Sequence, residues 1–130
     1  MFLRFVTSDL DEESHQELGV FHAARNLRDS GLLSQQDEET LEDIRDWFND
    51  NLSKPAKFTN AKPPHYRKRK NGISWFKASA KNHIGKIREI IAVLESYDVS
   101  VRMIKTDRPG YVVYEDQFQI VAVPFADSDL

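Results

Sequence analysis

The chain has 130 residues, the size of one ordinary domain, and we expect a single domain over residues 1–130. It contains no cysteine, which excludes a disulfide scaffold, a thiolate zinc site and a cysteine nucleophile. The net charge of −3 and the charged fraction of 30% are typical of a globular chain, and no apolar run approaches the length that crosses a bilayer.

The first third of the sequence predicts one strand followed by two helices. Residues 2–7 are rich in aromatic and β-branched side chains, and this composition favours a strand. Acidic residues from Asp9 onward suit a helix N-terminus, and apolar residues at helical spacing carry this helix to Arg28, with Gly31 as its stop signal. Ser34 is the predicted N-cap of a second helix. Because the link between them is short, the two helices should form an antiparallel hairpin.

The middle of the sequence predicts a long basic loop and a third helix. Residues 54–72 contain three prolines, many cations and no apolar periodicity, so we expect a long and mobile loop. From Trp75 to Tyr97, apolar residues return at helical spacing, which predicts the third helix. Gly85 inside this helix costs about 1 kcal/mol relative to alanine, and we expect close packing at that position.

The last third of the sequence predicts a sheet. Apolar and polar residues alternate over residues 99–103, and two further strands are predicted over 111–115 and 118–123, with Pro124 ending the last strand or marking it as a sheet edge. Residues 126–130 should form a frayed tail. Because the strands are grouped after the helices, the pattern favours the α+β class over a parallel α/β sheet. The predicted fold is an antiparallel four-stranded sheet, made of the N-terminal strand and a C-terminal three-strand meander, with three helices packed on one face.

The charges along the sequence are segregated. Residues 1–53 carry four basic and thirteen acidic side chains, whereas residues 54–88 carry eleven basic side chains and no acidic one. Residues 89–130 are again acidic, with three basic and eight acidic side chains. A block of like charge repels itself and attracts either a polyanion or an acidic surface. The acid-free block is therefore the main functional signal in the sequence.

We predict a polyanion-binding surface within this block. Cations neutralise phosphates, and an aromatic side chain among them can stack on an unpaired base. On the predicted third helix, three cations lie within about 40° of one another and extend the surface beyond the loop. The predicted binding residues are Tyr66, Arg67, Lys68, Arg69 and Lys70 in the loop, and Lys77, Lys81 and Arg88 on the helix.

Two observations oppose a nucleic-acid ligand. The isoelectric point of the chain is about 5.8, whereas nucleic-acid-binding domains are usually strongly basic. The basic loop could also be neutralised by the acidic helices of the same molecule, through exposed ion pairs worth about 0–1 kcal/mol each. An acidic protein is therefore an alternative partner to nucleic acid. Trp75 and Phe76 are interpreted as core residues rather than as stacking residues, because they begin an amphipathic segment.

A small enzyme is the alternative function, with its site between the first helix and the sheet. His22 and Arg25 lie one turn apart on the first helix and could act as a base and an anion clamp, with Glu115 as a further acid–base residue. Glu115 and Asp116 are explained more simply as part of a hairpin turn. The chain has no glycine-rich phosphate loop and no G-x-S-x-G elbow, so no cofactor is predicted.

The histidines predict no metal site. His15 and His22 are seven residues apart on one predicted helix, which separates them by about 10 Å along its axis, too far to chelate one ion. His83 lies near the apolar face of the third helix, as a packing histidine does. His65 lies in the basic loop and is expected to be exposed.

The two ends of the sequence bear on self-association and on cellular location. A C-terminal edge strand rich in valine and isoleucine could pair across a two-fold axis, so a structural homo-oligomer is a further alternative. The apolar stretch at residues 1–6 is too short for a signal peptide. We therefore expect a cytoplasmic protein without a membrane partner.

Overall fold

A computed structural model describes residues 1–10, 17–53 and 72–125, and these residues form three helices and six strands. The α+β class is confirmed, and none of the described helices is long and apolar enough to span a bilayer. The predicted frayed tail lies outside the described residues, as does the basic loop apart from its last residue. In chain order the elements are β1 (Phe2–Leu10), β2 (Glu17–Gly19), α1 (Val20–Asp29), α2 (Gln35–Asn51), β3 (Ile73–Lys77), α3 (Lys81–Ser96), β4 (Arg102–Thr106), β5 (Tyr111–Glu115) and β6 (Gln119–Val123).

The described residues divide into two compact units. The strand unit contains Met1–Arg4, residues 72–80 and residues 105–125. The helical unit contains residues 5–10, residues 17–53 and Lys81–Ile104. Both β1 and β4 contribute residues to each unit. The expectation of a single domain stays a prediction.

The strand unit is built on an antiparallel sheet in which β6 is an interior strand. The start of β1 pairs with β3, β3 pairs with β6, and β6 pairs with β5. All residues of β6 before Val123 are buried, as expected for a strand with neighbours on both sides. The prediction that the last strand is a sheet edge is therefore wrong, and Pro124 ends the strand instead. The edge strand of this sheet is β5.

The predicted C-terminal meander is replaced by a hairpin of β5 and β6, because β4 pairs with β1. The strand β4 also begins later than the predicted residue 99. The backbone N–H of Val99 donates to the carbonyl of Leu94, so residues 97–99 belong to the turn that ends α3. The alternation of apolar and polar residues therefore predicted correctly that a strand forms here, but it placed the start of that strand too early.

The third helix begins at Lys81 rather than at Trp75, because residues 73–77 form the strand β3. Trp75 and Phe76 are both only 9% exposed, and successive strand residues point to opposite faces, so β3 is covered on both sides. Their interpretation as core residues is confirmed. Aromatic side chains fit a covered strand well, and pairing with β6 overrides the helical spacing read from the sequence.

In the helical unit, α1 and α2 form the predicted antiparallel hairpin. The ring of Phe21, in the first turn of α1, contacts the ring of Phe48, near the end of α2, with 5.0 Å between centroids. The hydroxyl of Ser34 accepts a hydrogen bond from the backbone N–H of Asp37, which confirms the N-cap. Gly31 follows α1 with φ of 75°, as a stop signal requires. The first helix is shorter than predicted, because residues 17–19 pair with β1.

The core of the helical unit forms where α3 packs against α1 and α2. Five apolar residues of α3 are buried, and each contributes about 1.5–3 kcal/mol by leaving water. His83 is 4% exposed, and its Nε2 lies 2.8 Å from the carbonyl oxygen of Asn51 at the end of α2. The prediction of a packing histidine is therefore confirmed. The buried apolar residues of α3 are Ile84, Ile87, Ile90, Val93 and Leu94.

Candidate polyanion-binding surface

The solvent face of α3 carries a row of four residues at helical spacing. Lys81, Gly85, Arg88 and Ala92 are all exposed, and at 100° per residue they lie within about 60° of one another. The two cations are separated by about 10 Å along the helix axis. An alanine Cβ placed at Gly85 would have no neighbour within 4 Å, so the expectation of close packing at this glycine is wrong. The row therefore combines two cations with a glycine and an alanine, which are too small to cover the neighbouring charges.

The cations of this row are not neutralised by the part of the chain that the structure describes. Neither Lys81 nor Arg88 forms an ion pair with a described residue. By contrast, Lys86 Nζ lies 3.4 Å from Glu89 Oε2 and 5.7 Å from the centroid of the Trp47 ring. Within the described residues, Lys86 therefore has a carboxylate partner, whereas Lys81 and Arg88 have none.

The row faces away from the acidic helix α2. Lys86, which contacts Trp47 of α2, is about 140° around α3 from Lys81. The α2 helix exposes six carboxylates and only one cation, Arg45, so it would repel a polyanion. The exposed carboxylates of α2 belong to Glu38, Glu39, Glu42, Asp43, Asp46 and Asp50.

Lys77 does not lie on α3, which corrects its predicted place on the third helix. The helical wheel placed Lys77 beside Lys81 and Arg88, but Lys77 is the last residue of β3. Its Nζ lies 2.6 Å from Glu115 Oε2, on the edge strand of the strand unit. A close carboxylate partner offsets the charge of this lysine. Of the three cations predicted on the third helix, Lys81 and Arg88 lie on α3.

The loop part of the prediction lies outside the described residues. This holds for Tyr66 and for the run Arg67, Lys68, Arg69 and Lys70, all within residues 54–71. Their role in binding stays a prediction. His15 and His65 lie outside the described residues as well.

Of the residues of the enzyme alternative, His22 and Arg25 belong to the helical unit and Glu115 belongs to the strand unit. His22 and Arg25 are exposed on α1, and their side chains form no hydrogen bond or ion pair with any described residue. Glu115 belongs to the strand unit and pairs with Lys77. No group of three histidine, aspartate or glutamate residues within residues 1–10, 17–53 and 72–125 could hold a metal ion.

Asp116 occupies the hairpin turn predicted for it. One carboxylate oxygen accepts from the backbone N–H groups of Phe118 and Gln119, at 2.8 Å and 3.0 Å. The other accepts from the Tyr114 hydroxyl at 2.8 Å and from the Gln119 side chain at 3.0 Å. Burial acts to raise the pKa of Asp116, but the hydrogen bonds from Gln119, Phe118 and Tyr114 outweigh it and hold the pKa below its usual value. This carboxylate is committed to the turn.

Comparison of the chain with protein-family models, with curated proteins and with solved structures finds no match. A function can therefore be inferred only from the sequence and from the geometry and charge of the described residues.

Proposed function

We propose that this chain is a non-enzymatic cytoplasmic binding domain that contacts a polyanion through the α3 row and the basic residues 54–71. The observation that carries the proposal is that Lys81 and Arg88 are exposed on one face of α3 without a carboxylate partner in the described part of the chain. Residues 54–71 add seven lysine or arginine side chains and no acid shortly before this helix in the sequence. Phosphates and carboxylates are the groups that such a surface attracts.

Gly85 supports the same proposal. A glycine inside an exposed helix costs about 1 kcal/mol relative to alanine, and no described residue packs against this one. Glycine also allows a ligand to approach the backbone closely. A small residue between two cations lets an anionic chain lie against the helix and reach both of them.

The salt dependence of binding to a labelled DNA duplex tests this proposal. Each phosphate contact contributes about −0.9 to the slope of log affinity against log salt between about 50 and 200 mM. We expect Arg88→Glu to weaken binding and to make this slope less steep by about one unit. Charge reversal of Arg67, Lys68, Arg69 and Lys70 together should remove most of the binding.

Arg45→Glu is the matched control. Arg45 is also exposed on a helix of the helical unit, and the substitution changes the net charge by the same amount, but Arg45 lies on the acidic helix α2. We expect its effect on the slope to be small. Equal effects of Arg45→Glu and Arg88→Glu would show that net charge alone governs binding and that the α3 row is not the site. Binding of a poly-glutamate chain in place of DNA would identify an acidic protein as the partner.

A further inference from the structure

The strand unit exposes an aromatic and basic cluster that the charge pattern of the sequence does not reveal. Tyr111 begins the edge strand β5 and is 65% exposed. Its ring meets the ring of Phe125 edge-on, with 4.7 Å between centroids and 79° between planes. The guanidinium carbon of Arg108 lies 5.1 Å from the centroid of the Phe125 ring. We name Arg108, Tyr111 and Phe125 the Tyr111 cluster.

The cluster holds its groups in a fixed arrangement. Tyr111 loses little side-chain conformational entropy on binding, because it has only two rotatable side-chain bonds. Its ring also rests against Phe125. The cation–π contact holds the Arg108 guanidinium beside the same ring. Tyr111 therefore presents a large planar surface to solvent next to a positioned positive charge.

Charged residues of both signs lie near the cluster in the sequence. Lys105, near the end of β4, and Arg108, between β4 and β5, are both exposed. The intervening Asp107 is exposed as well and opposes an anion. Asp127 and Asp129 follow in the sequence outside the described residues and oppose an anion. Charge thus contributes modestly here, and the exposed ring is the main binding feature.

The edge of β5 is poorly suited to pairing with another strand. The register between β5 and β6 shifts between Val112 and Tyr114, so Val113 forms a bulge in the edge strand. A bulge interrupts the regular row of backbone donors and acceptors that an added strand needs. The side chains of the Tyr111 cluster, rather than the backbone of β5, are therefore the surface that a ligand would use.

We infer that the Tyr111 cluster stacks an unpaired base of single-stranded nucleic acid, with Arg108 and Lys105 close to the flanking phosphates. Every base has a flat face that can stack on tyrosine, and unpaired strands expose these faces whereas duplexes hide them. The inference deepens the proposed function and rests on it for the anionic class of ligand. It names single-stranded nucleic acid as that ligand and adds a contact in the strand unit.

Two probes of equal charge separate the two proposals. One is a labelled dodecamer of deoxythymidylate, and the other is a dodecamer of the same backbone without bases. The wild-type protein should bind the base-bearing probe more tightly. Tyr111→Ala should weaken binding of that probe by about 5- to 100-fold and leave binding of the abasic probe unchanged. Tyr111→Phe should retain the affinity of the wild type, because the ring remains.

Val112→Ala is the matched control, since Val112 is 51% exposed on the same strand and has no ring. It should change binding of neither probe. Circular dichroism verifies that each variant is folded. If Arg88→Glu weakens binding of both probes and Tyr111→Ala weakens only that of the base-bearing one, both proposals are supported.

The remaining outcomes distinguish the two failures. If Arg88→Glu has no effect but Tyr111→Ala weakens binding of the base-bearing probe, the α3 surface is wrong and the stacking site is supported. If a folded Tyr111→Ala protein binds both probes as the wild type does, the stacking site is wrong whatever happens at Arg88. Absence of binding to either probe at about 50 mM salt overturns both proposals.

Discussion

In the strand unit, Lys77 pairs with Glu115 and Asp116 accepts four hydrogen bonds, whereas in the helical unit Lys81 and Arg88 face solvent. Lys77 and Lys81 are four residues apart in the sequence and belong to the same acid-free block. Their different environments arise because β3 ends at the first and α3 begins at the second. A run of cations in a sequence therefore indicates how much charge is present, and the local structure decides how much of it a ligand can use.

The glycines of the two units differ in the same way. Gly110, just before β5, has φ of 140°, and a Cβ there would collide with the backbone carbonyl of Val123. Gly85 lies inside the helix α3, and a Cβ there would have no neighbouring atom within 4 Å. The fold requires a glycine at position 110, whereas it does not require one at position 85.

The largest effect is expected from Gly110→Ala. The substitution combines a backbone conformation that side chains rarely adopt with a collision against the backbone of β6, and it should lower the free energy of unfolding by about 3 kcal/mol. The chain has two tryptophans, Trp47 in the helical unit and Trp75 in the strand unit. Urea denaturation of Trp47→Phe protein, in which only Trp75 fluoresces, reports this loss. A midpoint unchanged by Gly110→Ala would contradict the described pairing of β5 with β6.

An intermediate effect is expected from Asp116→Asn, which removes the charge from the turn. An amide cannot accept all four hydrogen bonds, so the variant should lose about 2 kcal/mol of stability at neutral pH. Asp107→Asn, at an exposed pair in the same unit, should cost under about 1 kcal/mol.

The pH dependence of this loss has a definite sign. The pKa of Asp116 is lower in the folded than in the unfolded chain, so its ionised form stabilises the fold above the unfolded value of about 4. This stability is lost as the pH falls through the folded pKa. The difference in stability between wild type and Asp116→Asn should therefore shrink below about pH 4. A difference that stays constant on acidification would show that the carboxylate charge is not what the turn needs.

The sequence predicted those features that depend on local chemistry. Ser34 caps α2, Gly31 ends α1, and the apolar spacing after Lys81 forms the buried face of α3. It did not predict β3, because Trp75 and Phe76 fit the helical spacing and only pairing with β6 makes them a strand. That error placed Lys77 on the wrong element and so on the wrong surface.

The Tyr111 cluster depends on contacts between strands that the local sequence does not predict. The bulge at Val113 places Tyr111 opposite Val123 and Tyr114 opposite Val121, and Tyr111 is the more exposed of the two tyrosines. The contact with Phe125 depends on the register that pairs Tyr111 with Val123, which no local pattern specifies. The signal available in the sequence was an aromatic residue, Tyr111, three positions after a basic one, Arg108.

The smallest effect is expected from Gly85→Ala. This substitution tests whether Gly85, unlike Gly110, can be replaced without loss of stability. Because nothing packs against Gly85, alanine should raise the stability of the helical unit by about 0.5–1 kcal/mol through helix propensity alone. Ala92→Gly, on the same exposed face of α3, should lower it by a similar amount, and thermal unfolding followed by far-ultraviolet circular dichroism measures both. A loss of stability in Gly85→Ala would mean that the fold needs this glycine after all. If the variant is more stable yet binds a polyanion less tightly, the glycine is retained for the ligand, because an added methyl group between Lys81 and Arg88 obstructs only what approaches from outside.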